Sequence, residues 1–357
     1  MFDKLMGNRW FWLGTLVFLA TLSIWFRGSL FGFDSYATLS AVRFGWFDTL
    51  TLQPVSNFIW NLIPDSIIVF NLIIFASIFA SIIPIFLLVK KFYDENAAWI
   101  SIFLLLSFSP IILFEFGKFE NELFAFPFIV WGIYFLLNKN YFRSFFCFCG
   151  SLVFWVWLYY FSFFNFGFNR FAIEMNMFSG LLNFWLLIPF IFFIPLLDDK
   201  RVRNFGLLFL FFCLWNFKLF IFVLPFIVLA IPKTLDLISK RINVNIYVYI
   251  LALFCLIGIN YAFLMQSPTI NDWFLVDKTI SLSNDANFPI YNDWSYGYWF
   301  WSKGIKVKNT GGTGDDINIL LQKRPFIALT NLELVDCNLI YEKNEIAKQK
   351  TKIWRCD

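Results

Sequence analysis

The sequence predicts an all-α polytopic membrane protein with about nine transmembrane helices and a small external α/β or β-rich C-terminal domain. Hydrophobic residues make up 60% of the 357 residues, aromatic residues 23%, and phenylalanine alone accounts for 53. Soluble domains are typically about 45–50% apolar. Charged residues make up only 15% of the chain, and long apolar runs recur up to residue 264.

A helix needs about 20 apolar residues to cross the hydrocarbon core of a bilayer. Nine runs of about this length are predicted to span the membrane. The seventh and eighth runs are short and almost continuous with each other, and the break between them falls at Asn216-Phe217-Lys218. No small-residue cleavage site follows the first run, so we expect a retained helix there rather than a signal peptide. The predicted spans are 10–27, 66–89, 97–114, 122–138, 142–163, 180–197, 203–217, 218–232 and 246–264.

Lysine and arginine residues determine the predicted orientation, because they collect in cytoplasmic loops of membrane proteins. In the nine-helix count these residues all fall on one side of the membrane. The N-terminus is therefore predicted to be cytoplasmic and the segment after residue 264 external. The residues are Lys4, Arg9, Lys90, Lys91, Lys139, Arg143, Lys200, Arg201, Arg203, Lys233, Lys240 and Arg241.

The last 93 residues differ from the rest in composition, so we predict two domains, 1–264 and 265–357. Short alternating segments at 325–330, 338–342 and 351–355 are typical of strands. Cys337 and Cys356 flank a predicted hairpin outside the cytoplasm, where disulfides form. The sequence leaves open whether these two cysteines pair.

Charge and residue type exclude several kinds of chemistry. The formal net charge of +4 is small and dispersed, which is not the pattern of a nucleic-acid-binding protein. The chain has no histidine, the commonest general base and the commonest metal ligand. Any catalysis must therefore use carboxylates, lysine, arginine, tyrosine or cysteine.

Acidic residues in the predicted external loops are candidate ligands for Mg²⁺ or Mn²⁺, which prefer carboxylate oxygens. They are Asp34, Glu120, Glu122 and Glu174. In an extended loop the spacing of Glu120 and Glu122 places both side chains on one side. The alternative is that these residues are ordinary solvated loop acids.

Basic residues in the same predicted loops are candidates for binding a phosphate or pyrophosphate. They are Lys118, Arg170 and Lys218, with Arg43 as a further possibility. The alternative is contact with lipid headgroups. The aromatic segment from Trp294 to Trp299 indicates either a recognition surface or an aromatic belt at the membrane interface.

These motifs occur in an order that resembles the catalytic subunit of oligosaccharyltransferase, in the GT-C superfamily of membrane glycosyltransferases. Phe33-Asp34-Ser35-Tyr36 resembles the family's Phe-Asp-Pro-Tyr, and Gly117-Lys118-Phe119-Glu120-Asn121-Glu122 resembles its Gly-Ser-Tyr-Asp-Asn-Glu. Glu174 occupies the place of a glutamate that precedes the family's last four helices. Lys218 stands where the family has an arginine that grips the donor pyrophosphate.

A fifth motif, in the predicted C-terminal domain, also resembles the family. Asp293-Trp294-Ser295-Tyr296-Gly297 matches three of the five residues of the family's Trp-Trp-Asp-Tyr-Gly motif, which binds the acceptor. Ser295 replaces the motif's aspartate, and Asp293 replaces its first tryptophan. The family's subunit has thirteen helices, so about four are missing here between the second and third acidic loops.

The resemblance implies an integral protein of the plasma membrane with its active site on the external face. The implied reaction is transfer of a sugar or oligosaccharide from a polyprenyl-(pyro)phosphate donor to a protein or glycan acceptor. Asp34, Glu120, Glu122 and Glu174 would be catalytic and metal-binding, and Lys218, Arg170 and Lys118 would bind the donor phosphate. Trp294, Ser295, Tyr296 and Gly297 would bind the acceptor. Two alternatives remain, a monosaccharide transferase acting on a lipid or glycan and a non-catalytic flippase, transporter or scaffold.

Overall fold

The structure is a computed structural model and describes residues 33–45, 62–107, 121–154, 191–215, 220–239, 270–305, 307–310, 324–330, 332–343 and 351–357. Its helices are α1 (Phe33–Phe44), α2 (Ile67–Phe92), α3 (Glu95–Ser107), α4 (Asn121–Leu137), α5 (Tyr141–Phe154), α6 (Lys200–Trp215), α7 (Phe220–Ser239), α8 (Ile270–Ala286) and α9 (Trp294–Ser302). Its strands are β1 (Ile290–Asp293), β2 (Lys308–Thr310), β3 (Phe326–Thr330), β4 (Asn338–Lys343) and β5 (Thr351–Cys356).

Residues of the chain contact one another mainly within two compact units. The helical unit takes in 1–28, 53–56 and 66–262, and therefore contains helices α2 to α7. The α/β unit takes in 29–52, 57–65 and 263–357, and contains α1, α8, α9 and all the strands. Helix α1 thus packs with the C-terminal segment, although the sequence-based division placed it in the domain 1–264.

Helices in the helical unit begin at side chains that cap them. The side chains of Asp94, Asn140 and Asp199 each accept a hydrogen bond from a backbone N–H in the first turn that follows, at distances of 2.7 to 3.2 Å. Such caps satisfy N–H groups that have no partner inside a helix. The caps therefore fix where α3, α5 and α6 start.

Close packing of α4 against α5 depends on two glycines. A Cβ atom on Gly132 would lie 2.9 Å from the ring of Phe148, and one on Gly150 would lie 2.7 Å from the ring of Phe128. The Ser144 hydroxyl also donates to the Gly132 carbonyl at 2.8 Å. Small residues allow the two backbones to approach this closely.

The fold-class prediction of nine transmembrane helices is wrong. Within the described residues, α2 is the one helix long and apolar enough to cross a membrane. It lies at the predicted span 66–89. Elsewhere in the described part of the chain, the shorter apolar helices are Leu123–Leu137 and Tyr141–Phe154.

The error has a physical reason, because apolar composition does not distinguish a spanning helix from a shorter apolar helix that packs on its neighbours. In the described residues, the shorter apolar helices lie at the predicted spans 122–138 and 142–163. The spans 10–27 and 246–264 lie outside the described residues. The orientation derived from the nine-helix count no longer follows.

One end of the helical unit is polar, because the C-terminal ends of α2, α4 and α7 meet the N-terminal ends of α3, α5 and α6 there. Lys90 pairs with Glu95 at 2.8 Å and Lys233 with Asp198 at 2.9 Å. Burial of Tyr93, and secondarily the charge of Asp198, raises the pKa of the Tyr93 phenol to about 12. We call this the polar end, formed by Lys90, Lys91, Tyr93, Asp94, Glu95, Asn138, Asp198, Arg201 and Lys233.

A mixed sheet with strand order β2-β1-β3-β5-β4 organises the α/β unit. Strand β1 is parallel to β2 and β3, whereas β5 is antiparallel to β3 and β4. Strands β3, β4 and β5 lie at the three segments predicted as strands. Helix α8 packs against β3.

A disulfide joins Cys337 and Cys356, which are 19 residues apart in sequence. Cys356 belongs to a buried cluster on the sheet with Tyr291, Phe326 and Trp354, and Cys337 packs against that cluster. The disulfide therefore fastens the loop before β4 to the last residues of β5.

Replacing both cysteines, Cys337→Ser and Cys356→Ser, should lower the free energy of unfolding by about 3 kcal/mol, because the unfolded chain loses a closed loop. Denaturant unfolding of the full chain measures this change. The variant Cys147→Ser, Cys149→Ser controls for the loss of two thiols, since those cysteines are free. Equal stability of the wild-type protein with and without reductant would contradict the prediction.

Candidate functional site

The structure describes only part of the predicted site. Glu120, Glu174, Lys118, Arg170 and Lys218 lie outside the described residues. The backbone places the other predicted residues in helices. Asp34 lies in α1 and Glu122 in α4, and Trp294 and Ser295 are the first two residues of α9, directly after β1.

Asp34 and Glu122 belong to different units. Among the described residues, no group of three or more acidic or cysteine side chains is arranged to hold a metal ion. The proposed ligand set is not tested by this finding, because its side chains are outside the described part. The Mg²⁺ or Mn²⁺ site stays a prediction.

The structure brings together two motifs that are about 260 residues apart, the start of α1 and helix α9. The Tyr36 ring, only 1% exposed, lies 5.4 Å from the Trp273 ring and 6.5 Å from the Trp299 ring, in edge-on geometry. Trp299 in turn contacts Trp273 at 5.8 Å and Tyr296 at 5.3 Å. We call Tyr36, Trp273, Tyr296 and Trp299 the aromatic cluster.

Arg43 forms a second connection between the same two helices. Its Nε donates to both carboxylate oxygens of Asp65 at 2.8 Å, and its Nη1 donates to the Ser302 carbonyl at 3.0 Å. That carbonyl is the last of α9, where a positive charge is favourable. From the sequence, Arg43 was a candidate for binding a phosphate or a lipid headgroup. Its partner Asp65 was not predictable, because the two residues are 22 positions apart.

These contacts join α1 to one part of α9. Tyr36 is near the start of α1 and contacts Trp299, whereas Arg43 is at the end of α1 and contacts Ser302, the end of α9. Trp299 and Ser302 are one turn apart, so both contacts involve the last turn of α9.

Helix α9 follows β1 directly and leads to the parallel strand β2, so these elements form a β-α-β unit. Strand β1 lies between β2 and β3, which are both parallel to it. In such sheets ligands bind at the carboxyl ends of the strands where the strand order reverses. Trp294 and Ser295 start α9 at the carboxyl end of β1, the place where this rule puts a ligand.

Tyr296 is buried, whereas a residue of an open recognition surface would be exposed. It is 7% exposed, and its hydroxyl lies 2.8 Å from the Thr351 Oγ1 on β5. This contact fixes α9 on the sheet. Gly297 is also buried within α9. Acceptor binding by Trp294, Ser295, Tyr296 and Gly297 stays a prediction.

No family model, no curated protein and no solved structure matches the chain. The resemblance to the GT-C superfamily therefore depends on the short motifs, and it stays a prediction.

Arg43→Met should lower the free energy of unfolding by about 1–2 kcal/mol, because it removes a carbonyl hydrogen bond and a partly exposed ion pair while keeping an aliphatic stem. Denaturant unfolding of the full chain measures the change. A matched control is Arg355→Met, whose guanidinium pairs with Asp357 only two residues away. If both variants lose the same stability, Arg43 does not connect α1 to α9.

Proposed function

We propose that the protein is a membrane glycosyltransferase that transfers a sugar or oligosaccharide from a polyprenyl-(pyro)phosphate donor to an external acceptor. One observation carries the proposal. The helix that contains Phe33-Asp34-Ser35-Tyr36 packs on α9, which begins with the acceptor-like motif at the carboxyl edge of parallel strands. Two short motifs that resemble one family in sequence thus lie in one packed unit.

In the proposed reaction, Asp34 positions the acceptor nucleophile or takes its proton, as carboxylates do in general base catalysis. Breaking the anomeric C–O bond leaves negative charge on the donor phosphate. Lys218, with Lys118 and Arg170, would hold that phosphate, since cations stabilise charge that develops in the transition state. Carboxylates of Glu120, Glu122 and Glu174 have the oxygen chemistry that suits Mg²⁺ or Mn²⁺, and a bound ion would add Lewis-acid stabilisation of the leaving group.

Exposed apolar side chains on the helical unit support membrane association. Phe142, Phe145 and Phe146 on α5 are 73%, 64% and 56% exposed, and Phe211 on α6 is 58% exposed. Proteins surrounded by water rarely expose contiguous apolar surface on this scale. We propose that lipid covers these faces, and that the donor's polyprenyl chain lies among them.

The disulfide between Cys337 and Cys356 supports placing the α/β unit outside the cytoplasm. Disulfides persist in oxidising compartments and are rare in the cytosol. The proposed active site, which includes Asp34 and α9 of this unit, would therefore work on the external face of the plasma membrane.

The acceptor is the least constrained part of the proposal. Ser295 and Asp293 replace an aspartate and a tryptophan of the family motif. These changes favour a monosaccharide transferase with a lipid or glycan acceptor as the second candidate. In that version Asp34 is the general base and no metal ion is needed.

Asp34→Asn and Glu120→Gln should each reduce transfer by about 10²–10³-fold, the scale expected when a group that stabilises transition-state charge is lost. Release of label from radiolabelled polyprenyl-phosphate sugars, by protein reconstituted in liposomes, measures the rate. Asp285→Asn on α8 is the matched control, because it removes a carboxylate that is not among the predicted site residues.

Two further results distinguish the candidates. Activity that EDTA abolishes and Mg²⁺ or Mn²⁺ restores supports the metal-dependent version, whereas activity that survives EDTA supports the metal-free transferase. Transfer that is unchanged in both Asp34→Asn and Glu120→Gln contradicts the enzyme proposal and favours a flippase, transporter or scaffold.

A further inference from the structure

Exposed aromatic and basic side chains lie together where α4 ends and α5 begins, at the polar end of the helical unit. Phe142, Phe145 and Phe146 are each more than half exposed. Their spacing places them on one face of α5, and the Phe146 ring lies 4.7 Å from the Phe142 ring and 5.8 Å from the Phe145 ring. Lys139, in the turn, and Arg143, in the first turn of α5, are exposed as well. We call these five residues the α5 surface.

The two cations of the α5 surface are not neutralised within the described part of the chain. Carboxylates of the polar end are used inside the fold, where they pair with Lys90 and Lys233 or cap α3 and α6. Lys139 and Arg143 form no ion pair with any residue that the structure describes. The Arg143 guanidinium lies instead 5.7 Å from the centre of the Phe135 ring. The α5 surface therefore presents net positive charge.

Helix stability does not account for these cations. A cation in the first turn of a helix opposes the macrodipole, and Arg143 is the third residue of α5. Lys200, the first residue of α6, is also exposed. The Arg201 guanidinium connects the two helix starts, because it donates to the Tyr141 hydroxyl at 3.1 Å and to the Leu136 carbonyl. Positive charge that collects here suits a negatively charged partner outside the fold.

Helix α2 relates the α5 surface to the level of a membrane. Among the described helices, α2 is the one long and apolar enough to cross a bilayer, and Lys90 and Lys91 lie in its last turn. The Lys91 ammonium donates to the Asn138 Oδ1, and Asn138 directly precedes Lys139. In a bilayer crossed by α2, the α5 surface lies where α2 reaches the headgroups. Aromatic and basic side chains are enriched at that level.

We propose that the α5 surface binds an anionic phospholipid leaflet at the level of its headgroups. Lys139 and Arg143 contact lipid phosphates, and the rings of Phe142, Phe145 and Phe146 insert beside them. Anionic lipids attract basic residues near the membrane surface, whereas the headgroup of a zwitterionic lipid balances its own phosphate. The proposal rests on the membrane association in the proposed function, but not on the transfer reaction.

Native mass spectrometry of the purified full chain in mixed micelles tests the proposal by giving a Kd for each added lipid. Dioleoyl-phosphatidylglycerol should bind at least about tenfold more tightly than dioleoyl-phosphatidylcholine, because each of the two cations contributes about fivefold. Raising ammonium acetate from about 0.1 M to about 1 M should reduce this preference, since the Debye length falls from about 10 Å to about 3 Å. Equal affinity for the two lipids would overturn the proposal.

A pair of charge-matched variants locates the binding. Lys139→Gln with Arg143→Gln should weaken phosphatidylglycerol binding at least about tenfold and leave phosphatidylcholine binding unchanged. Lys278→Gln with Arg355→Gln, in the α/β unit, removes the same net charge and should bind both lipids as the wild-type chain does. If the two double variants lose phosphatidylglycerol affinity equally, the α5 surface is not the binding site.

Phe142→Ser with Phe145→Ser tests insertion of the rings. This variant should bind both lipids more weakly and keep the wild-type Tm, because the rings that it removes are exposed. A second copy of the chain is the competing occupant of this face. Dimers of the wild-type chain that disappear in this variant, together with unchanged lipid affinity, would overturn the proposal.

Asp34→Asn separates lipid binding from the proposed function. It should reduce transfer, yet it should bind phosphatidylglycerol as tightly as the wild-type chain does. A wild-type chain that transfers sugar but does not prefer phosphatidylglycerol would overturn the lipid proposal and leave the transferase proposal standing.

Discussion

The packing of Tyr36 against Trp299 is the contact on which the α/β unit depends. It joins α1, near the beginning of the chain, to α9 in its last quarter, and it buries both aromatic rings almost completely. Edge-on aromatic pairs contribute about 0.5–1.5 kcal/mol beyond the burial of their surface. Tyr36 also contacts the Trp273 ring of α8 at 5.4 Å, so α1 has aromatic partners on both α8 and α9.

The proposed function follows from this contact. Helix α9 lies on the sheet through the hydrogen bond between Tyr296 and Thr351, so the sheet determines where α1 can dock. Asp34 and the acceptor-like motif Trp294-Ser295-Tyr296-Gly297 lie in these two packed helices, which is why two motifs that are distant in sequence can belong to one site.

Local patterns were sufficient to predict some elements of the fold. Alternating residues predicted the segments that form β3, β4 and β5, and the longest apolar run predicted α2. The number of spanning helices was not predictable in this way, because apolar composition alone does not show where a helix ends or which face packs on a neighbour. Asp94 and Asp199 cap the starts of α3 and α6, and in a sequence such caps are recognisable only as short local patterns.

The candidate site was less predictable, since its connections are long-range. The segment 28–65 was read as an external loop, although Phe33–Phe44 is helical. The segment from Trp294 to Trp299 was read as an aromatic belt or a recognition surface, and it forms a helix between two parallel strands. Its pattern of four aromatic residues in six positions does not show a single buried face. Contacts with Tyr36, Trp273 and Thr351 hold two of its rings, Tyr296 and Trp299, inward.

A double-mutant cycle between Tyr36 and Trp299 tests the contact most directly. Unfolding free energies of Tyr36→Leu, Trp299→Leu and the double variant give the coupling energy of the two rings. The account predicts that the double variant loses about 0.5–1.5 kcal/mol less than the sum of the single losses. Strictly additive losses would mean that the Tyr36 and Trp299 rings do not interact, and would contradict the contact on which the proposed shared site depends.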